Sequence, residues 1–346
     1  MTLMKKAVLS AAVAAVMVTT AQARDQIRIV GSSTVYPFSS YVAEEFGATT
    51  GNPTPVVEST GSGGGMKLFC AGNGLDTPDF TNASRPMKTS EWELCQQNGV
   101  KNIIGVVIGF DGISIAQNKS NPDLDLTLEQ IFLALAEEVP SKDGKSLIAN
   151  PYKKWSDIDP SLPNREIKII GAPTTSGTRD AFDEMVMQVA SKKFDAYGSQ
   201  KGKYKKVRTD GVFIPGGEND NLIVQRLEQD DAALGYFGYS FLEENSDKIS
   251  GVKLLGIEPT FDNIATGKYP VSRSLYFYAK ADHFKEVKGM EEYLDLFMDD
   301  MMIGTDGVLR TIGLIPMPAN ELQKAQSAVK TRTPLTAEMV KKGLVY

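Results

Sequence analysis

Several short runs of glycine and hydroxyl side chains lie where the sequence pattern changes from strand to helix. One of them, residues 59–65, follows an apolar pair at residues 56–57 and precedes a helical pattern that begins at Met66. A helix start leaves backbone N–H groups without intrahelical partners, and glycine lets a ligand approach them closely. Because the helix dipole adds positive charge there, the junction predicts a site for a small anion. A flexible surface loop is the alternative interpretation.

The same arrangement of strand, hydroxyl-rich loop and helix occurs twice more. One copy passes from an apolar run at residues 27–30 into the hydroxyls at 32–34, and the other passes from residues 167–170 into 174–178. In α/β sheets, ligands bind beyond the carboxyl ends of the strands, where helix starts converge. Three similar junctions therefore favour one shared anion site, although Ser, Thr and Gly are also common in caps and turns.

The elements between these loops must position them. A glycine-interrupted apolar run at residues 103–116 predicts buried strands, one of which crosses between domains, and residues 269–279 predict a strand that crosses back. The helix after the third loop is expected to reach residue 194. Its apolar spacing predicts an inward face made of four side chains: Phe182, Met185, Val186 and Val189.

The N-terminal segment has the pattern of a secretory signal peptide. Lys5 and Lys6 precede an apolar run at residues 7–18, and small residues up to Ala23 form a cleavage site. The run is too short to span a bilayer. We therefore expect residues 1–23 to be removed after Ala23 and the mature chain to be exported to the periplasm. The remaining chain is long enough for two domains with separate cores.

Charge and cysteine content narrow the possible functions. The chain has a net charge of −6 at pH 7 and lacks a basic tract, which argues against nucleic acid or acidic membranes as partners. Because the chain is negatively charged overall, an anion site would need positive charge placed locally around the ligand. Cys70 and Cys95 are the two cysteines, and in an oxidising compartment they predict one disulfide. A metal pair or redox site is the alternative, but the C-x-x-C spacing is missing.

Motifs of nucleotide-binding and hydrolytic enzymes are not found. The glycines at residues 61–65 match neither the Walker A motif nor G-x-G-x-x-G, and no G-x-S-x-G occurs. The single histidine, His283, has no neighbouring metal-ligand pattern. We therefore expect a binding protein rather than an enzyme, without a metal or cofactor.

With these residues in view, the chain resembles the phosphate-binding proteins that serve ABC-type phosphate uptake systems. The resemblance covers nearly all of the mature chain and rests on five segments: residues 31–34, 59–65, 79–86, 175–179 and 217–220. It implies the α/β, two-lobed periplasmic-binding-protein fold of type II, with two strand crossings at the hinge. It also implies that residues 24–110 and 268–346 form one lobe and that residues 111–267 form the other.

The resemblance implies a set of phosphate ligands. By matching position they are Ser33, Thr34, Ser62, Ser84, Arg85, Ser176, Gly177, Thr178 and Arg179. Two positions depart from the better-known branch of the family. Arg85 stands at or next to the place of an aspartate that accepts a proton from phosphate. Ala172 and Pro173 occupy the region of the arginine that usually precedes the Ser-Gly-Thr triplet.

These departures change the expected chemistry. Arg85 becomes the leading charged ligand and Arg179 the second, with a surface arginine as the alternative interpretation of each. A site made of donors alone cannot distinguish phosphate from sulfate, which has no proton to donate at neutral pH. The selectivity would need an acceptor, for which the sequence offers Glu58, Asp180, Asp220 or a backbone carbonyl.

The resemblance implies a monomeric receptor that captures inorganic phosphate and delivers it to a membrane ABC permease. A receptor for sulfate or another tetrahedral oxyanion is the alternative within the same class. A secreted phosphoesterase, or an adhesion or sensor protein that uses phosphate as a signal, would belong to a different class. The enzyme would need a base near Ser33, Ser62 or Ser176.

Overall fold

The structure, a computed structural model, describes residues 24–174, 176–198, 200–217 and 219–346. The predicted signal peptide lies outside these residues. Among them, none of the helices has the length and apolar character needed to cross a membrane.

The strands of the described chain are mostly short and apolar. In chain order they are β1 (Arg28–Gly31), β2 (Val56–Ser59), β3 (Phe80–Ala83), β4 (Ile103–Asn118), β5 (Asp125–Leu126), β6 (Glu138–Pro140), β7 (Leu147–Ala149), β8 (Ile169–Gly171), β9 (Phe213–Pro215), β10 (Leu234–Gly238), β11 (Ile249–Gly251), β12 (Lys253–Leu254) and β13 (Ser272–Lys280).

Helices follow many of these strands. In chain order they are α1 (Tyr36–Thr50), α2 (Ser62–Phe69), α3 (Thr89–Gln97), α4 (Leu128–Leu135), α5 (Trp155–Ile158), α6 (Gly177–Phe182), α7 (Gln188–Ser191), α8 (Asp220–Gln229), α9 (Tyr239–Glu244), α10 (Phe261–Ala265), α11 (Met290–Phe297), α12 (Asp300–Ile303), α13 (Ala319–Lys330) and α14 (Ala337–Lys341). Shorter 3-10 turns occur at Asp195–Tyr197, Lys203–Lys205, Ala281–Lys285 and Val308–Ile312.

β4 joins the two halves of the main sheet. It is 16 residues long, and its first part, up to Gly112, pairs with the antiparallel β13, whereas its last part, from Ile113, pairs with β10. On the β13 side, β1 lies between β2 and β3 and is parallel to both. On the β10 side, β8 lies between β10 and β9 and is parallel to both. The α/β class and the predicted crossing strand are confirmed.

The buried side chains form separate cores on the two sides of this crossing. One core draws on residues 113–271, with Ile315 as an addition from further along the chain. Two others draw on residues 27–108 and 275–345. We propose the lobe boundaries given above, 24–110 with 268–346 and 111–267. The cores fit these boundaries except that Tyr269, Val271 and Ile315 pack in the core of the second lobe.

The helix that follows the 174–178 loop contains a π-helical turn, Asp183–Met187, between α6 and α7. A π turn widens the helix and rotates the residues beyond it relative to a regular α-helix. Phe182 and Val186 are buried and Met185 is partly buried against the same core, as predicted. The prediction that Val189 faces the core is wrong, since 42% of its surface is exposed. The helix also ends at Ser191, earlier than expected.

Cys70 and Cys95 form a disulfide, as predicted. Cys70 is the residue that ends α2, and Cys95 lies in α3. Both are fully buried, in the core that also contains Met66 and Phe69 of α2. The disulfide therefore fixes the helix that follows the glycine-rich loop at residues 59–65.

We expect that replacing both Cys70 and Cys95 with serine will lower the free energy of unfolding by about 2–4 kcal/mol. The bond closes a loop with a sequence separation of 25 residues, and removing it increases the freedom of the unfolded chain. Urea unfolding with and without reductant checks this. Reductant should destabilise the unsubstituted protein and leave the double variant unchanged; equal stability of the two proteins without reductant would contradict the prediction.

Candidate functional site

The carboxyl ends of the parallel strands bring the predicted loops to one edge of the sheet. Ser33 and Thr34 follow β1, Ser62 lies beyond β2, and Ser84 follows β3 directly. In the other half of the sheet, the loops after β8, β9 and β10 likewise begin at the carboxyl ends of parallel strands. Parallel pairing forces these ends together, because strands that run the same way must finish on the same side.

A cavity of about 530 Å³ opens between these loops. Its lining comes from both sides of the crossing and consists of Ser33, Thr34, Pro37, Phe38, Asp111, Ser176, Gly177, Thr178, Asn219, Asp220, Gly238, Ser240, Phe241, Ile312 and Gly313. Five of the nine predicted ligands are therefore together here. The lining includes residues of the first turn, or the capping residues, of α1, α6, α8 and α9. Helix starts contribute N–H donors and the positive ends of their dipoles to such a cavity.

The two neighbouring hydroxyls after β1 have different partners. The hydroxyl of Ser33 donates to Oδ2 of Asp180 across the crossing, at 3.2 Å. The hydroxyl oxygen of Thr34 instead accepts from Nη2 of Arg273, at 2.8 Å. A Cβ on Gly177 would lie only 3.2 Å from the carbonyl oxygen of Ser33. A glycine at this position therefore permits the close approach of the two loops.

Arg273, which does not line the cavity but donates to Thr34 in its lining, was not predicted from the sequence. Its Nε donates to Asp111 at 3.2 Å and its Nη1 to Glu184 at 2.7 Å, while 12% of the side chain is exposed. Arg273 and Asp111 are also directly opposite each other in the β13–β4 pairing. A signal was present: Asp111 is the lone charged residue in the apolar run 103–116.

Ser62, Ser84 and Arg85 form a second cluster, at the start of α2, and do not belong to the cavity lining. The hydroxyl oxygens of Ser62 and Ser84 are 3.2 Å apart, and the Ser84 N–H donates to Ser62 at 3.1 Å. Arg85 forms a forked ion pair with Glu91, from Nη1 at 2.9 Å and Nη2 at 2.6 Å. Its Nη1 also donates to the carbonyl of Pro86 at 3.1 Å.

The charge of Arg85 is stabilised by its partners. Hydrogen bonding to Glu91 raises the pKa of Arg85, and the charge of Glu184 adds a weaker effect in the same direction. Burial opposes ionisation of Glu91, but hydrogen bonds from Arg85 and the Lys88 N–H outweigh it, so the pKa of Glu91 is lowered. The described bonds use three of the five N–H groups of a guanidinium. Arg85 therefore retains N–H donors while Glu91 holds its orientation.

Arg179, the second predicted cation, lies in the interior and is not part of the cavity lining. Its Nε donates to Asp183 at 2.9 Å and its Nη2 to the carbonyl of Lys205 at 3.2 Å. The guanidinium carbon is 5.3 Å from the centre of the Phe213 ring. These contacts describe a buried structural ion pair; a direct contact between Arg179 and a ligand stays a prediction.

Carboxylates also surround the cavity. Of the predicted acceptors, Asp220 is in the lining and Asp180 accepts from Ser33, whereas Glu58 is exposed on β2, at the edge of the sheet. Asp111 is a further carboxylate in the lining. The site therefore combines converging N–H and O–H donors with hydrogen-bond acceptors.

Comparison with known proteins identifies similar chains. The family model of the PBP superfamily domain matches residues 18–301. The phosphate-binding protein PstS of Staphylococcus saprophyticus is 30% identical over 303 residues, which are 86% of this chain and 82% of that protein. Protein SphX of Synechococcus elongatus is 29% identical over 308 residues, which are 87% of this chain and 79% of that protein.

Solved structures agree with these matches. A possible phosphate binding protein from Planctomyces limnophilus is 28% identical and has a TM-score of 0.73, covering 90% of this chain and 99% of that one. PstS from Borrelia burgdorferi, at 16% identity, shares the fold with a TM-score of 0.58, covering 86% of this chain and 100% of that one. The resemblance and the two-lobed α/β fold predicted from the sequence are confirmed.

The ion pair between Arg85 and Glu91 predicts a pH-dependent contribution to stability. We expect Glu91→Gln to lower the free energy of unfolding by about 1 kcal/mol at pH 7, because the glutamine keeps the shape and loses the charge. The pKa of Glu91 is lowered in the folded state, so its contribution is fully present above the unfolded value of about 4.3 and is lost as the pH falls from there through the lowered folded-state pKa.

Urea unfolding of the two proteins at pH 7 and near pH 3 measures this difference. Glu93→Gln, which removes an exposed carboxylate from the same helix, is the matched control and should change little at either pH. A difference between Glu91→Gln and the unsubstituted protein that persists at low pH would contradict the prediction.

Proposed function

The chain belongs to the PBP superfamily and, within it, to the family of the phosphate-binding protein PstS, and we propose that it captures inorganic phosphate and delivers it to a membrane ABC permease. The single observation that carries this proposal is the cavity where loops from both sides of the crossing meet. No bond is made or broken in this function. The protein binds the ion, and closure of the lobes excludes water from it.

Two groups of residues supply the proposed contacts. Ser33, Thr34 and the residues 176–178 offer hydroxyl and backbone polar groups from the cavity lining. Ser62, Ser84 and Arg85 are assembled at the start of α2 on the first lobe. Glu184 contacts Arg273, which in turn donates to Thr34 of the first group. We propose that Arg85 supplies the main positive charge, which an acidic protein must provide locally.

The carboxylates favour phosphate over sulfate. Asp111 and Asp220 line the cavity, and Asp180 contacts the hydroxyl of Ser33. A protonated phosphate can donate a hydrogen bond to acceptors in such a site. Sulfate has no proton to donate, so its oxygens would face the carboxylate oxygens without a hydrogen bond. The same groups lower the affinity for any anion, so many oriented donors are needed to offset them.

We propose binding without catalysis because the sole histidine is occupied elsewhere. His283 is 1% exposed, and its Nδ1 is 2.7 Å from Oδ1 of the buried Asp79. Its Nε2 is 3.2 Å from the carbonyl oxygen of Asn73. The imidazole is therefore committed to acceptors outside the cavity lining and does not contact Ser33 or Ser176 as a general base.

We further propose that the protein works as a monomer in the periplasm after cleavage behind Ala23. Arg24, which would be the first mature residue, contacts the buried Asp79 through its guanidinium, so the proposed N-terminus is anchored in the fold. N-terminal sequencing and light scattering of the exported protein test this. A retained leader or a stable dimer would contradict it.

Titration calorimetry near pH 7 tests the proposed ligand. We expect phosphate to bind with micromolar or tighter affinity and sulfate to bind at least tenfold more weakly, because sulfate cannot donate to the carboxylates. Tighter binding of sulfate would overturn the phosphate proposal in favour of a different oxyanion. Turnover of a chromogenic phosphate ester would overturn the proposal of binding without catalysis.

The role of Arg85 is tested by replacing it with alanine. We expect the affinity for phosphate to fall by about 2–4 kcal/mol, or about 30- to 800-fold, because a partly buried charged donor is lost. Arg332→Ala is the matched control, since Arg332 also pairs with carboxylates, Glu291 and Asp295. Calorimetry should show no change for the control. Unchanged phosphate affinity of Arg85→Ala would remove Arg85 from the site.

A further inference from the structure

The partners of Ser33 and Thr34 give these adjacent hydroxyls opposite roles toward a ligand. A hydroxyl has one proton to donate and two lone pairs that accept. The proton of Ser33 is used by the carboxylate of Asp180, at 3.2 Å. A lone pair of Thr34 is used by the guanidinium of Arg273, at 2.8 Å, which leaves its proton free for another acceptor. Both residues line the cavity.

We propose that Ser33 is the acceptor of the proton of a protonated oxyanion and that Thr34 is a donor to an unprotonated oxygen of the same ion. Asp180 and Arg273 are then positioning residues that set these two roles. This inference rests on the proposed function and adds to it the groups that decide selectivity. It assigns Ser33 a role opposite to the donor role expected from the sequence.

Arg273 is held firmly enough to impose its polarity on Thr34. Arg273 is fixed by Asp111 and Glu184 at 3.2 and 2.7 Å, so its third donor direction points at Thr34. Asp180 and Glu184 lie on one helix, on either side of the junction between α6 and the π turn. One helical segment thus contacts Ser33 directly and Thr34 through Arg273.

The arrangement discriminates by the presence of a proton on the ligand. A P–OH group donates to Ser33 while Ser33 continues to donate to Asp180, so every group is satisfied. Sulfate forces a choice: its oxygen faces the lone pairs of Ser33, or Ser33 turns toward it and leaves Asp180 without that donor. Leaving the partly buried Asp180 without this donor weakens binding by about 5- to 150-fold.

Three variants separate these roles when phosphate, arsenate and sulfate are titrated by calorimetry at one pH. Ser33→Ala should weaken phosphate and arsenate and leave sulfate unchanged or tighter, which narrows the phosphate-to-sulfate preference by about 5- to 150-fold. Thr34→Val should weaken all three ions by similar factors, so the preference stays. Asp180→Asn should narrow the preference, because Ser33 is then able to donate to sulfate.

A double variant, Ser33→Ala with Asp180→Asn, distinguishes a hydrogen-bond effect from a charge effect. If Asp180 acts through Ser33, adding Asp180→Asn to Ser33→Ala changes the preference no further. The proposal would be overturned if Asp180→Asn changed the phosphate-to-sulfate preference equally in the Ser33→Ala protein and in the unsubstituted protein. It would also be overturned if Ser33→Ala alone left that preference unaltered. Thermal unfolding of each variant identifies any loss of fold. If Asp180→Asn does not fold, Ser33→Ala, which deletes one oxygen atom, still tests the proposal on its own.

Asp143→Asn is the matched control, because Ser141 donates to Asp143 at 2.6 Å in an exposed loop between β6 and β7. It removes the same charge from the same kind of pair and should leave all three affinities unchanged. Failure of the unsubstituted protein to bind phosphate would refute the proposed function itself. Phosphate binding with a preference that does not depend on Ser33 would refute only the present inference.

Discussion

The ion pair between Arg273 and Asp111 lies at the point on which the rest of the site depends. The two residues face each other across β13 and β4, just before β4 leaves the first half of the sheet for the second. The remaining donors of Arg273 reach Thr34, in the loop after β1, and Glu184, in the π turn after α6. A single guanidinium thus connects the crossing strand, the hydroxyl loop and the π turn. Because the guanidinium is planar and rigid, its hydrogen bonds position these three elements relative to one another.

The site holds an anion in a protein that is acidic overall, with a net charge of −6. We therefore propose that the attraction is short-range, from helix starts, hydroxyls and the two guanidinium groups of Arg85 and Arg273. Each guanidinium is itself paired with a carboxylate, Glu91 or Asp111. Such pairing reduces the net positive charge and increases geometric definition. The pairing therefore favours an ion whose donors and acceptors match those of the site over an ion that carries more charge.

Much of the fold followed from local pattern. The apolar and β-branched runs and the helix starts predicted β1, α1 and α2. The glycine-interrupted run at residues 103–116 predicted buried strands, where the structure has the single strand β4. The disulfide followed from cysteine count and compartment. Val189 was misassigned because a π turn shifts the helical face, and apolar spacing alone does not reveal such a turn.

The sequence by itself determined which loops carry donors and that they follow strands, because glycine, hydroxyl and apolar residues act on their neighbours along the chain. Only the tertiary structure decided how those donors are oriented. The Ser33–Asp180 contact joins residues 147 positions apart, and the Thr34–Arg273 contact joins residues 239 positions apart. Spacing along the chain carries no information about such pairs, since the sheet register and the crossing of β4 bring them together. The direction of a hydroxyl proton depends on those partners. They therefore decide whether the hydroxyl acts as a donor or as an acceptor toward a ligand.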